Sequence, residues 1–183
     1  MTESRADLAA PAAVVVCLML VAAPAAPQDD AAVIEHNENE AIADARTIIS
    51  AEAAYQSVNG GFYDNLACLL KPSGCIPGYP AQAPVFINEA LASLTIKDGY
   101  GRAFFAKPAA QKPGPDASPT SAESYAVTLW PAKPGKTGRR AFCGDADGVI
   151  CFTTDGRAPR VLTDARCPWE AKDGKPAGCE VLR

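Results

Sequence analysis

The clearest metal-site pattern in the sequence is the pair Asp145 and Asp147, in the stretch Gly-Asp-Ala-Asp-Gly. Carboxylates two positions apart can reach one hard cation, as they do in calcium-binding loops. The closing glutamate of such a loop is absent, and Asp-Gly is also a strong hairpin-turn signal. The sequence leaves both interpretations open, a tight turn or a calcium site at Asp145 and Asp147, and indicates no other cofactor.

Cysteine is the second residue type with chemical potential. One cysteine, Cys17, lies in an apolar N-terminal run, and the remaining even set of six predicts three disulfides in an exported domain. Spacing along the chain favours pairing of neighbours. The expected pairs are Cys68–Cys75, Cys143–Cys151 across a hairpin, and Cys167–Cys179 in the tail. Zinc is the competing interpretation, but the chain has no Cys-x-x-Cys pair and one histidine.

Catalytic chemistry has little support in the sequence. The one histidine, His36, lies in an acidic stretch with helical periodicity, where an exposed side chain is expected. No phosphate loop, zinc-protease motif or dinucleotide fingerprint is present. We therefore predict no catalytic residues and a protein that is not an enzyme.

The charge of the chain excludes strong electrostatic partners. The net charge of −4 over 183 residues is too small to indicate binding to nucleic acid or to an anionic membrane. Six acidic residues fall within residues 29–44, whereas residues 131–183 are weakly basic. These charges are typical of solvated faces, or they could orient the packing of neighbouring subunits.

The N-terminal segment has the features of an export signal. Residues 11–23 form a short apolar core, and Ala23-Pro24-Ala25 is a small-x-small cleavage pattern. We predict that residues 1–25 are a signal peptide or an atypical N-terminal anchor, and that residues 26–183 form one globular domain.

One long helix is predicted around residues 37–61. Apolar residues recur at steps of three and four positions, which indicates a single buried stripe. Asn37 could cap this helix, or Asp29 or Asp30 could cap a longer one, and Asn59-Gly60-Gly61 ends it. The predicted core stripe is Ile42, Ala45, Ile49 and Ala53.

Short strands follow a proline-rich connector. They are predicted at residues 100–106, 123–130, 140–143 and 149–153, with a last short strand at 160–163. Helix first and antiparallel meander second predict an α+β fold, in which the long N-terminal helix packs on a small disulfide-stapled sheet.

The ordered series of motifs over residues 37–157 resembles bacterial type IV pilin-like proteins, above all the major pseudopilins of type II secretion. The matching stretches near the helix are Asn39-Glu40-Ala41, Arg46-Thr47-Ile48, Ala51 with Tyr55, and Gly61-Phe62-Tyr63. Later matches are residues 87–92, 97–100, 125–131, 138–142, 147–150 and Asp155-Gly156. The usual prepilin cleavage junction of glycine and phenylalanine is not present.

This resemblance implies a pilin-like fold, a calcium-binding loop in the sheet region and protein subunits of a secretion or pilus assembly as partners. We expect a non-catalytic extracytoplasmic interaction protein, in the periplasm, at the cell surface or secreted. Membrane contact is expected only if the N-terminal segment is retained, and no nucleic-acid partner is expected. The alternative is a secreted, disulfide-stabilised binding module for a small ligand or a glycan.

Overall fold

The computed structural model describes residues 30–171, 175 and 177–183, and the segment predicted as signal peptide or anchor lies outside this range. Within the described part, no helix is both long and apolar enough to cross a membrane. The helices are α1 (Asp30–Val58), α2 (Leu66–Leu70) and α3 (Glu89–Ala92), with a 3-10 turn at Pro72–Gly74. The strands are β1 (Tyr100–Pro108), β2 (Ala122–Pro131), β3 (Ala141–Asp145), β4 (Ile150–Thr153) and β5 (Glu180–Val181).

Helix α1 is the longer of the two predicted alternatives, because it begins at Asp30 and runs through Asn37 without a break. It ends where the sequence predicts. Gly60 and Gly61 adopt left-handed backbone angles, and the Gly61 N–H bonds back to the Gln56 carbonyl. The Asn59 side chain is fully buried and accepts a hydrogen bond from the Ser118 N–H at 2.7 Å. The helix end is therefore fixed to the distant loop before β2.

The buried face of α1 differs from the predicted stripe at its C-terminal end. Ile42 and Ala45 are buried, and Ile49 is half-buried against the sheet, but Ala53 is exposed, so that assignment is wrong. Three and seven positions beyond Ala45, the face continues through Ile48 and then the charged residue Glu52. Ala53 has the apolar side chain expected of the stripe, but helical geometry places the charged Glu52 on the buried face instead.

The five strands form one antiparallel sheet in the order β1-β2-β3-β4-β5. The first four strands lie where they are predicted. The last prediction, a strand at residues 160–163, is wrong, because that segment is a loop over the sheet and the fifth strand is β5 near the C-terminus. The observed fold is α+β, with α1 laid across a five-stranded meander.

The sheet has two differently covered faces. On the helix face, Val127 and Leu129 of β2 pack into the main core with α1 and α2, and the buried Tyr125 stacks on Phe104 beside them. On the outer face, Cys143 and Cys151 form a second cluster with the C-terminal tail. Alternation along the strands produces this division, since successive side chains point to opposite faces.

Acidic residues of α1 hold the helix on the sheet. Glu38 accepts hydrogen bonds from the Arg139 and Arg140 N–H groups, at 2.8 and 3.0 Å, and from Arg140 Nε at 2.6 Å. Burial alone would raise the pKa of Glu38, but these backbone and guanidinium contacts outweigh burial and lower that pKa. Six residues further along α1, Asp44 pairs with Lys97 and Arg102. Part of the acidic segment is thus used inside the fold.

Candidate binding groove on the outer face of the sheet

The six cysteines outside the N-terminal run are joined in three disulfides. Cys68–Cys75 is paired as predicted, but the other two expected pairs are wrong. The bonds are Cys143–Cys167 and Cys151–Cys179. Cys143 and Cys151 do lie opposite each other on β3 and β4. The tail folds back over the outer face and brings one cysteine to each of them, which separation along the chain cannot reveal.

The carboxylates of Asp145 and Asp147 each contact the C-terminal tail and do not converge on one shared position. Asp145 is fully buried and accepts hydrogen bonds from the Cys167 N–H at 2.8 Å and the Asp147 N–H at 3.1 Å. Asp147 forms an ion pair with Arg166. Burial raises the pKa of Asp145, and the Cys167 N–H and the Arg166 charge partly oppose this effect. The two carboxylates position the tail, and the calcium interpretation stays a prediction.

A groove of about 860 Å³ lies between the outer face of β1 and β2 and the loop at residues 156–165. We call it the outer groove. Its size is within the range of small-ligand sites. Its floor comes from outward side chains of the two strands, among them Phe105, Thr128 and Trp130. Its wall is the loop, which contributes Pro159, Leu162 and their neighbours.

Trp130 is the main aromatic surface of the floor. It lies across Gly101 of β1, where an added Cβ atom would come within 2.8 Å of the indole ring. Any other residue at position 101 would displace the ring. Phe105 of the floor is 43% exposed. The groove therefore offers a flat aromatic and aliphatic surface to a ligand.

The charged side chains that line the outer groove are all positive. Its lining includes Arg157 and Arg160 and contains no aspartate or glutamate. Among the described residues, neither guanidinium group makes a hydrogen bond or an ion pair. The groove thus combines an apolar floor with two cations on its wall, of which Arg157 also acts through its charge on the exposed Asp155.

The wall is fixed in place by contacts with the sheet. Gly156 adopts a left-handed backbone angle and packs closely against Pro131 and Pro134. Thr153 donates a hydrogen bond to the Arg157 carbonyl at 2.7 Å, and Ser124 donates one to the Asp164 carbonyl. The disulfide Cys143–Cys167 anchors the end of the loop. The groove is preformed rather than dependent on a ligand for its shape.

A second polar cluster is buried under the C-terminal half of α1. Asp64 accepts hydrogen bonds from Tyr55 Oη at 3.1 Å, Thr120 Oγ1 at 2.9 Å and Asn65. Glu52 is fully buried and receives only the Asp64 N–H at 3.3 Å, and its Oε1 has no partner among the described residues. Burial, reinforced by the charge of Asp64, raises the pKa of Glu52 to about 9. Glu52 is therefore a neutral core residue at pH 7.

Asp64 also lies beside Cys68 and Cys75, and the three offer ligand atoms within 4.8 Å of one another. The two sulfur atoms are joined in a disulfide, so they are not thiolate ligands. The Asp64 carboxylate is surrounded by donors from the protein. This cluster stabilises the turn after α1 and has no free coordination position in the disulfide form.

Sequence reasoning missed the outer groove. Trp130 reads from the sequence as a core or interface anchor, and the loop at residues 156–165 reads partly as a strand. A usable signal was the glycine at position 101 in an otherwise bulky strand, because glycine inside a strand often marks a close approach. The pairing of Gly101 with Trp130 requires the strand register.

The one histidine is not part of these clusters. His36 lies on the exposed side of α1. Comparison of this chain with models of protein families, with curated proteins and with solved structures found no match.

Proposed function

We propose that this chain is a non-catalytic, extracytoplasmic interaction protein with a pilin-like domain, and that it works as a subunit of a type IV pilus or type II secretion-like assembly. The order of elements carries the proposal: one long helix, a disulfide-closed connector, then an antiparallel meander with the helix across one face. Three disulfides support a site of action outside the cytoplasm.

The use of the polar residues also supports an interaction role. Glu38, Asp44 and Asp145 each bind groups of the fold itself. The surface that remains free is broad: the exposed side of α1 and the outer groove. Both are suited to protein contact rather than to bond-making chemistry.

The proposal is tested by expressing the full chain in an exporting bacterial host with a photo-crosslinking amino acid at Glu35 or Arg46, both on the exposed side of α1. We expect covalent adducts with other protein subunits. N-terminal sequencing of the same material distinguishes a start near Ala26 from a retained apolar segment. A freely diffusing chain that gives no adduct from either position would overturn the proposal.

A second candidate is a binding module for a small ligand or glycan, and the outer groove is the observation that favours it. The Trp130 ring can stack on an apolar ligand face or a sugar ring. Titration with glycans and small aromatic acids should change the intrinsic fluorescence of the wild type and of Trp169→Phe. The change should vanish in Trp130→Phe. A response that survives in Trp130→Phe would place the ligand elsewhere.

A further inference from the structure

Strand β1 is an edge of the sheet, and its hydrogen-bond pattern can be followed residue by residue. Ala132 N–H donates to the Gly99 carbonyl, and Ala146 N–H donates to the Tyr125 carbonyl. Along an antiparallel strand, the backbone N–H and C=O groups of successive residues point alternately to one neighbouring strand and to the opposite side. The odd-numbered residues of β1 therefore bond to β2, and the even-numbered residues turn their N–H and C=O groups away from the sheet.

Most of these outward groups are open. Lys97 takes both groups of Tyr100 at the start of the strand. Further along, the outward groups of Phe104 and Ala106 have no backbone partner within the described part of the chain. Natural sheets usually protect such an edge with charge, proline or a covering segment. Here Lys107 and Pro108 come only at the end, after an uncharged stretch from Ala103 to Ala106.

The open edge borders the outer groove. Ala103, Phe105 and Ala106 of β1 all line the groove. A chain added beside β1 would continue the sheet, and every second side chain would point toward the groove side. The apolar floor accepts apolar side chains from such a chain. Arg157 and Arg160 on the wall, whose guanidinium groups make no hydrogen bond or ion pair among the described residues, select a negative charge at one position along the added chain.

We propose that the free edge of β1 and the outer groove together bind an extended peptide segment of a partner protein, which adds to the sheet as a further strand. The segment has alternating apolar side chains that enter the groove and at least one acidic side chain at Arg157 and Arg160. This inference rests on the proposed interaction function and names the surface and the partner chemistry.

The hydrogen exchange of the free protein provides the first test. The amides of Phe104 and Ala106 should exchange quickly, whereas those of Ala103 and Phe105, which bond to β2, should be protected. Slow exchange at Phe104 and Ala106 in the monomer would mean that the edge is already covered, and would overturn the inference.

The second test selects binders from a displayed library of random nine-residue peptides against the full chain. We expect enriched peptides to alternate apolar residues and to carry an acidic residue at a fixed place. Binding should protect the Phe104 and Ala106 amides. Methylation of the peptide nitrogens that face β1 should weaken binding about tenfold or more, because each lost backbone hydrogen bond costs on the order of 1 kcal/mol. Equal affinity of the methylated peptides would contradict strand addition.

Protein variants give the matched comparison. Ala106→Pro removes an outward N–H without breaking the ladder to β2. We expect about a tenfold loss of peptide affinity in Ala106→Pro and in Arg160→Glu, and no loss in Arg46→Glu on the exposed side of α1. The inference would be overturned if the selected peptides bound Ala106→Pro and Arg160→Glu as tightly as the wild type, or if the library yielded no binder.

Failure here is distinguishable from failure of the proposed function. If Ala106→Pro and Arg160→Glu enter crosslinked assemblies through α1 as efficiently as the wild type, the interaction role stands and the peptide site is wrong. If no form enters an assembly, the proposed function itself fails. A wild-type dimer in sedimentation that Ala106→Pro abolishes would identify a second copy of this chain as the occupant, and would replace the partner peptide.

Discussion

The two faces of the sheet are covered by different means. The helix face is closed by α1, which buries a continuous apolar and aromatic surface and is held by ion pairs at Glu38 and Asp44. The outer face is covered over β3 and β4 by a tail with little regular structure, which is attached by two disulfides. Over β1 and β2, the outer face of the sheet is not covered by the tail and forms the outer groove.

This difference separates stability from recognition. Hydrophobic burial stabilises the helix face, and it needs a regular element with a long apolar side. The tail has too few apolar residues to do the same, and covalent bonds replace burial there. A face held by two fixed bonds can keep an open groove beside them without collapsing onto it.

The largest expected effect breaks the helix face. Ile48→Asp places an unpaired charge in the core, and we expect a loss of more than about 4 kcal/mol in the free energy of unfolding, or no folded protein. The matched change Ala53→Asp, on the exposed side of the same helix, should cost less than about 0.5 kcal/mol. Urea denaturation followed by circular dichroism measures both. Equal losses would mean that α1 packs through a different face.

The next effect loosens the outer face. The double change Cys143→Ser with Cys167→Ser should lower the free energy of unfolding by about 3 kcal/mol, because the bond closes a longer loop than Cys68–Cys75, for which about 2 kcal/mol is expected. Helical signal from α1 should persist in the native state. Denaturant midpoints of the wild type and of the variants that lack each disulfide show which bond contributes more to the free energy of unfolding. A larger loss from removal of Cys68–Cys75 would reverse the assignment of the tail as the part that depends on covalent bonds.

A third effect concerns the acid buried under α1. Because the pKa of Glu52 is about 9 in the folded protein and about 4.5 in the unfolded chain, ionisation favours unfolding. Stability from this group is fully present below about pH 4.5 and is lost as the pH rises toward 9. Glu52→Gln should remove this loss and stabilise the protein by about 1–3 kcal/mol at pH 8.

The control for this change is Glu35→Gln, on the exposed side of the same helix. It should leave the pH dependence of unfolding as it is in the wild type. The contribution of Glu38 to stability has the opposite pH dependence, because its pKa is lowered in the folded protein and its contribution is lost as the pH falls. A stability profile that is identical in the wild type and Glu52→Gln between pH 5 and 9 would show that Glu52 is not a buried neutral acid.

The smallest expected effect concerns the open groove. Phe105→Ser removes a partly exposed ring from the groove floor, and we expect the free energy of unfolding to change by less than about 0.5 kcal/mol. Phe104→Ser, the neighbouring residue on the helix face, should cost about 2 kcal/mol or more, because its ring stacks on Tyr125 in the core. Thermal melting compares the two. Similar losses would remove the distinction between the faces at β1.

Local patterns in the sequence predicted much of the fold. Asn59-Gly60-Gly61 marks the end of α1, and the alternation in β2 identifies Tyr125, Val127 and Leu129 as one face. Both features depend on backbone geometry over a few residues. The α+β order of elements follows from them.

The errors have a common physical cause. Ala53 was assigned to the buried stripe because it continues the three- and four-residue spacing of apolar residues, yet the face of a helix is decided by what packs on it. Cys143 was assigned to Cys151 because they are close along the chain, yet the tail returns across the sheet. In each case the deciding partner is distant in sequence.

The sequence by itself determined α1, the first four strands, their order and the even set of cysteines that predicts an oxidising compartment. Only the tertiary structure decided which cysteines pair, which glutamate is buried as a neutral acid, and that Trp130 and two arginines border an open strand edge. Helical and strand periodicity is a property of neighbouring residues, whereas these contacts join residues that only the packed chain brings together.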